Sequence, residues 1–417
     1  GYVMGKEDIV IECIAEESFN NFCEIVDATS ILRQDKQIVI FGAGIMGMQF
    51  AYTLQQLGIN NFIFCDNDSQ KWGVRLVGTT INNPMLLQNG DNYFVYLAME
   101  NYEACATQLE EMGFKMGIDW VNLTNCSERK LLDSFEKNDD AHVLILGDCT
   151  VSTVSVQEKY KVSIGEILRK TGDTKVLALN GLYMRSYYNI LRLCKNRMKY
   201  LQEVYVLLNV DIMGNRYFLY PKNQHGRVMK ELYKKSKKTD DKEMQDFLQV
   251  IEEREKGTSI LDLSSPNRYK HLSEKEVENQ RRVHMKLNFL YHISENTESM
   301  EYLHHILDFC RNVGIKITFV IMPINYERGE EYFGDEFRTR YGEIITVLQR
   351  HIINGKGSIL DLSYLLPQGD FICLRSTNEG ILEHGRKLIA EKIVERMKKD
   401  VKANGVAIKN CTKRDRF

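Results

Sequence analysis

The chain has 417 residues, 43% apolar and 27% charged, with 55 Lys and Arg against 57 Asp and Glu. That length exceeds one compact core, so two or three domains are expected. The charge balance argues against a global field for nucleic acid or an acidic membrane surface, and no run approaches the roughly 20 apolar residues of a membrane span.

Residues 6–35 read as helical, with Ile9, Ile14, Phe22 and Val26 among the spaced apolar positions. Gln37–Phe41 is a short β-rich run followed by Gly42-Ala43-Gly44-Ile45-Met46-Gly47 and a helical stretch to Leu57-Gly58. Strands over 61–65 and 93–97 and a helix over 102–112 complete a βαβ alternation, hence a parallel sheet. Cys126–Asp140 is polar and reads as a linker with a short helix. A second alternation follows: strand 143–146, helix 156–170, strand 175–179, helix 184–199, strand 204–209. Residues 223–310 read as a helical insertion broken near Ser264-Ser265-Pro266-Asn267. Strands at 316–321 and 358–361 and a closing helix over 383–399 precede a basic tail from 401 to 417. The fold class is therefore α/β in two domains, 36–125 and 141–400, with an N-terminal helical segment and a linker at 126–140.

Gly42, Gly44 and Gly47 form a G-x-G-x-x-G between a strand and a helix. The first glycine permits the tight turn, the second lets backbone approach a phosphate, and the third lets helix and strand pack closely. Asp66, at the end of the next strand, is placed to accept from a ribose hydroxyl, and Asn67 stands beside it. Only one such α/β half is present, which favours a mononucleotide or nucleotide-sugar over NAD. No Tyr-x-x-x-Lys pair supports hydride transfer there.

The stretch from Ile38 to Gly73, with "INNPMLL" after it, resembles the nucleotide-sugar-binding module at the front of bacterial sugar O- and N-acyltransferases. Gly42, Gly44, Gly47, Asp66, Asn67 and Lys71 carry the resemblance over about 90 residues. It implies a Rossmann-like domain and a UDP- or GDP-sugar as ligand.

Residues 141–400 resemble the SGNH (GDSL) hydrolases, close to the alginate and lipoteichoic-acid acyl-transfer proteins. Gly147-Asp148-Cys149 stands at the Gly-Asp-Ser block, Asn180-Gly181 at the oxyanion glycine and Asn209 at the oxyanion asparagine, with Asp211 second. The resemblance implies a flavodoxin-like three-layer sheet with a nucleophile after its first strand. Cys149 replaces the serine, and the family's Asp and His fall on Thr377 and Gly380, which cannot serve. Glu379 and His384 are the local substitutes, the former as a base only if burial raises its pKa.

Three roles stay open for Cys149: an inert structural thiol, a nucleophile served by His384 or Glu379, or a metal ligand. The spacing of cysteines and histidines shows no metal site. The functional expectation is an esterase or acyltransferase acting on a sugar ester in bacterial surface-polysaccharide metabolism. The alternative is a catalytically inactive platform that senses a nucleotide-sugar, and the third is an NAD-dependent oxidoreductase. The partners implied are carbohydrate or nucleotide-sugar, with no nucleic acid and no membrane span, and the oligomeric state is open. Ten scattered cysteines without a C-x-x-C pair, and no apolar signal core at the N-terminus, point to a cytoplasmic location. The leading Gly1 leaves open a removed leader.

Overall fold

The structure is a computed structural model that describes residues 3–4, 13–89, 92–214, 225–256, 272–372 and 380–414. It is mixed α/β, built on two largely parallel sheets. The elements that build the first sheet and its cover are β1 (Cys13–Ala15), α1 (Glu16–Ala28), β2 (Gln37–Phe41), α2 (Ile45–Gln56), β3 (Phe62–Cys65), β4 (Arg75–Leu76), β5 (Thr79–Asn82), β6 (Tyr93–Leu97), α3 (Glu103–Glu111) and β7 (Trp120–Asn122). Its strand order is β4-β5-β3-β2-β6-β7, parallel except for the β4–β5 pair. Side chains alternate across the pleat, so this sheet needs two cores. Ile38, Ile40, Phe64 and Tyr96 pack with Phe22 of α1 and Phe50 of α2 on one face. Val39, Phe41, Val95 and Trp120 pack with Leu109 of α3 on the other.

The second part begins with α4 (Ser127–Glu136), β8 (Val143–Gly147), β9 (Thr153–Ser155), α5 (Ile164–Arg169), β10 (Thr174–Ala178), α6 (Met184–Arg197) and β11 (Glu203–Leu208). It continues through α7 (Gly226–Lys235), α8 (Lys242–Lys256), α9 (Glu274–Phe289), α10 (Glu298–Val313), β12 (Lys316–Ile321), α11 (Tyr326–Phe333), α12 (Asp335–Asn354), β13 (Ser358–Asp361) and α13 (Glu383–Arg414). The sheet order is β10-β8-β11-β12-β13, all parallel. Every residue of β8, β10 and β11 is buried, as expected of parallel strands covered on both faces. Chain order and strand order diverge between β8 and its two neighbours β10 and β11, which makes their carboxyl ends the topological switch point of this sheet.

Several expectations change. Cys13–Ala15 is extended because it pairs antiparallel with Thr153–Ser155, and the helix starts only at Glu16; residues 6–12 lie outside the described residues. The expected 156–170 helix shrinks to Ile164–Arg169, since Val154 and Val156 are buried in the first sheet's core. The 126–140 stretch is no free linker: Leu131 and Phe135 of α4 are buried in the second sheet's core, and the Lys175 ammonium binds the Phe135 carbonyl and Asp139 at 2.6 and 2.7 Å. The helical insertion likewise packs onto the second sheet. Its Met229, Phe247, Met285 and Phe289 have no exposed surface and belong to that same core. The break at 264–267 lies outside the described residues. No helix among the described residues is long and apolar enough to cross a membrane.

Candidate functional site

Two strand-tip corners carry the residues singled out by sequence. At the first, Gly42 has φ +116°, and a Cβ there would stand 2.6 Å from the Ala98 carbonyl oxygen. A Cβ on Gly47 would overlap the Gly42 carbonyl oxygen. Nothing lies within 4 Å of the Cβ position of Gly44. The three glycines thus divide into turn, open face and packing contact. Gly44 is also the N-cap of α2 and supplies no side-chain cap, so the first-turn N–H groups keep their capacity for an anion.

The acidic partner behaves differently from the expectation. The Asp66 Oδ2 accepts from the Ala43 N–H at 2.8 Å, within 3.4 Å of the Lys71 ammonium, and Oδ1 accepts from the Asp68 N–H at 2.8 Å. Its carboxylate braces the glycine turn rather than facing outward for a ribose. Asn67 is turned to α3, exchanging amide hydrogen bonds with Gln108 at 2.9 and 3.2 Å. The rim is instead marked by Trp72, whose indole N–H donates to the Asp66 carbonyl at 2.6 Å while the residue stays 38% exposed.

At the second corner, β8 ends at Gly147, where a Cβ would collide with the Val151 side chain. Asp148 is buried; its Oδ1 accepts from the Thr150 N–H at 3.0 Å and its Oδ2 from the Asn209 amide at 2.7 Å. Burial pushes the Asp148 carboxyl above its usual range, opposed by the Asn209 and Thr150 hydrogen bonds. Tyr187, buried beside Asp148, Cys149 and Asp211, has its hydroxyl pushed well above the ordinary range, first by burial and then by those neighbours. Cys149 is half-buried at the start of a short 3-10 turn, and its carbonyl accepts from the Thr153 hydroxyl at 2.7 Å.

Asn209 departs from the oxyanion role. Its two amide hydrogens go to Asp148 Oδ2 and, at 3.0 Å, Thr150 Oγ1. An amide has only two donors, so Asn209 positions the Asp148 turn and has none to spare for an oxyanion. Gly181 does sit at the tip of β10, whose Ala178 pairs with Gly147. Its φ is +80°, and its N–H meets no protein acceptor among the described residues. Glu379 lies outside the described residues.

His384 has a partner that sequence spacing did not reveal. Its Nδ1 is 2.9 Å from Asp370 Oδ2. The Asp370 carboxylate is mostly buried, whereas the His384 side chain is 74% exposed. Backbone pairing builds the juxtaposition: Phe371 bridges Ile381, and the Leu382 N–H donates to the Asp370 carbonyl at 2.8 Å. Phe371 and Ile381 share a buried cluster with Val151, two residues beyond Cys149. A carboxylate at Nδ1 fixes the ring's tautomer and leaves Nε2 as the working nitrogen. The nearest sequence signal was the family's Asp-x-x-His spacing, and Asp370 stands fourteen residues before His384 instead of three.

No protein-family model matches the chain, and no curated protein matches it either.

Proposed function

We propose that the protein is a two-domain enzyme, a Rossmann-like nucleotide-sugar-binding module joined to an SGNH-like domain that hydrolyses or transfers the acyl group of a sugar ester. The observation that carries this reading is the Asp370–His384 pair, an oriented imidazole with an exposed face at 2.9 Å from its carboxylate. Cys149, at a strand tip of the same sheet, supplies the nucleophile. His384 Nε2 takes the thiol proton as Sγ attacks the acyl carbonyl carbon. The oxyanion forms against the Gly181 N–H. The C–O bond to the sugar then breaks, and His384 returns the proton to the departing alkoxide. Water or an acceptor hydroxyl attacks the thioester with its proton passing to His384, and the thiol is regenerated.

The test is acetate release from acetylated sugars and p-nitrophenyl acetate by wild type, Cys149→Ala and His384→Gln. Loss of a general base costs about 10²–10⁴-fold, so both variants should fall at least 100-fold. Equal rates in wild type and Cys149→Ala would end the catalytic reading.

A second reading is favoured by one observation, the commitment of both Asn209 donors to Asp148 and Thr150. In it, the second sheet is an inert platform and the Gly42–Gly47 turn binds a nucleotide-sugar. It requires thermal stabilisation by UDP- or GDP-sugars with no ester turnover. The open face at Gly44 supports such a ligand; the inward-turned Asp66 leaves ribose recognition to other groups.

A further inference from the structure

We infer that His225 is a positioning residue that holds the Asn180–Gly181 peptide and so sets the direction of the Gly181 N–H beside the β8 tip that carries Cys149. This rests on the acyl-transfer reading of that corner. His225 caps α7 with φ +76°, a left-handed conformation uncommon outside glycine. The residue is 7% exposed, and Nε2 lies 2.6 Å from the Asn180 carbonyl oxygen. A carbonyl only accepts, so Nε2 carries the proton and Nδ1 is a bare lone pair. That Nδ1 is buried and has no hydrogen-bond partner among the described residues. Burial lowers the ring's pKa, which keeps it in this neutral form. A left-handed backbone outside glycine and an unpaired buried acceptor both cost stability. The Asn180 bond is the one side-chain hydrogen bond that the ring makes among the described residues.

The bond acts through peptide geometry. The Leu182 N–H donates to the Leu179 carbonyl at 3.3 Å, closing a β-turn with Asn180 and Gly181 at its centre. A φ of +80° at Gly181 is the third-position value of a type II turn. The central peptide of such a turn can rotate to the type I arrangement, which reverses both its carbonyl and its N–H. In a planar trans peptide these two groups point in opposite directions. Holding the Asn180 carbonyl on His225 therefore fixes where the Gly181 N–H points. That N–H has no protein acceptor among the described residues, and it sits beside the β8 tip, where the Leu179 N–H donates to the Gly147 carbonyl at 3.3 Å.

Two variants separate this role from bulk stability. His225→Asn tolerates the left-handed backbone but is too short to reach the carbonyl. His225→Gln places an amide donor near the position of Nε2. Carbonyl-¹³C asparagine with ¹⁵N-glycine labelling isolates the Gly181 amide among the four Asn-Gly pairs of the chain. In His225→Asn the Gly181 resonance should shift and broaden, and kcat for ester turnover should fall about 10–100-fold with KM unchanged, below the 10²–10³ of deleting an oxyanion donor. His225→Gln should restore both. An unmoved Gly181 resonance, or a kcat unaltered in His225→Asn, overturns the proposal. Absence of ester turnover in the wild type would overturn the acyl-transfer reading instead, while the Gly181 resonance still decides whether His225 holds the turn.

Discussion

Arg386 is fully buried, and its guanidinium satisfies five hydrogen bonds at one end of α13. Nε donates to the Val162 carbonyl at 3.0 Å; Nη1 donates to Glu158 Oε1 at 2.9 Å and the Ile381 carbonyl at 2.6 Å; Nη2 donates to Glu158 Oε2 at 2.6 Å and the Tyr160 carbonyl at 2.9 Å. It thus clamps the irregular segment 158–162 onto the helix that begins one residue before His384. Replacing Arg386 by Met keeps volume but strands three carbonyls and a carboxylate whose side chain is only 12% exposed. Three unpaired carbonyls at roughly 1 kcal/mol each and an uncompensated charge at about 3 kcal/mol sum to about 6 kcal/mol. Urea unfolding followed by far-UV circular dichroism reads the loss as a lower midpoint at unchanged slope. Tryptophan emission from Trp72 and Trp120, both in the first sheet's part of the chain, provides a second trace. Adding Glu158→Gln to Arg386→Met should recover about half of the loss, because the orphaned charge is gone. A single-variant cost below about 1 kcal/mol, or strict additivity in the double variant, would refute the clamp.

The glycine turn makes two opposed predictions. Gly47→Ala should unfold the first sheet, since its Cβ overlaps the Gly42 carbonyl, whereas Gly44→Ala should keep its melting temperature within a few degrees and lose the thermal shift given by a UDP-sugar. Retained ligand shift in Gly44→Ala would remove the phosphate site from that face. Glu203 is 4% exposed, its Oε1 has no hydrogen-bond partner among the described residues, and burial raises its pKa, reinforced by Asp400 and opposed by Lys316. A folded-state pKa above the unfolded value favours the protonated form. Its stabilising contribution is complete below the ordinary Glu range and is lost as pH rises through the folded value. Glu203→Gln should therefore be more stable than wild type at pH 8, with the difference shrinking toward pH 4; a pH-independent difference in urea midpoint would contradict this.

The regular strands were legible because they are local. Strands 37–41, 93–97, 316–321 and 358–361 stand where the runs of apolar and β-branched residues placed them, and the other four expected strands lie within a residue or two, whereas 75–76, 79–82, 120–122 and 153–155 were not expected as strands. The roles of Gly42, Gly44 and Gly47 followed from a motif whose demands lie in consecutive backbone units. The reading failed where pairing partners are remote. Cys13–Ala15 is a strand only because 153–155 lies alongside it, and the helices 326–333 and 335–354 went unrecognised behind the strand reading around them.

The sequence by itself determined the α/β class, the two glycine-bearing strand tips and the position of Cys149, since each depends on a few neighbouring residues. The tertiary structure alone decided which way the polar side chains face. Asp66 folds back on Ala43, Asn209 on Asp148, Asp370 meets His384 and His225 meets Asn180, across separations of 23, 61, 14 and 45 residues. Such pairs are set by strand order and helix docking, because a hydrogen bond acts over about 3 Å of space and carries no signature along the chain.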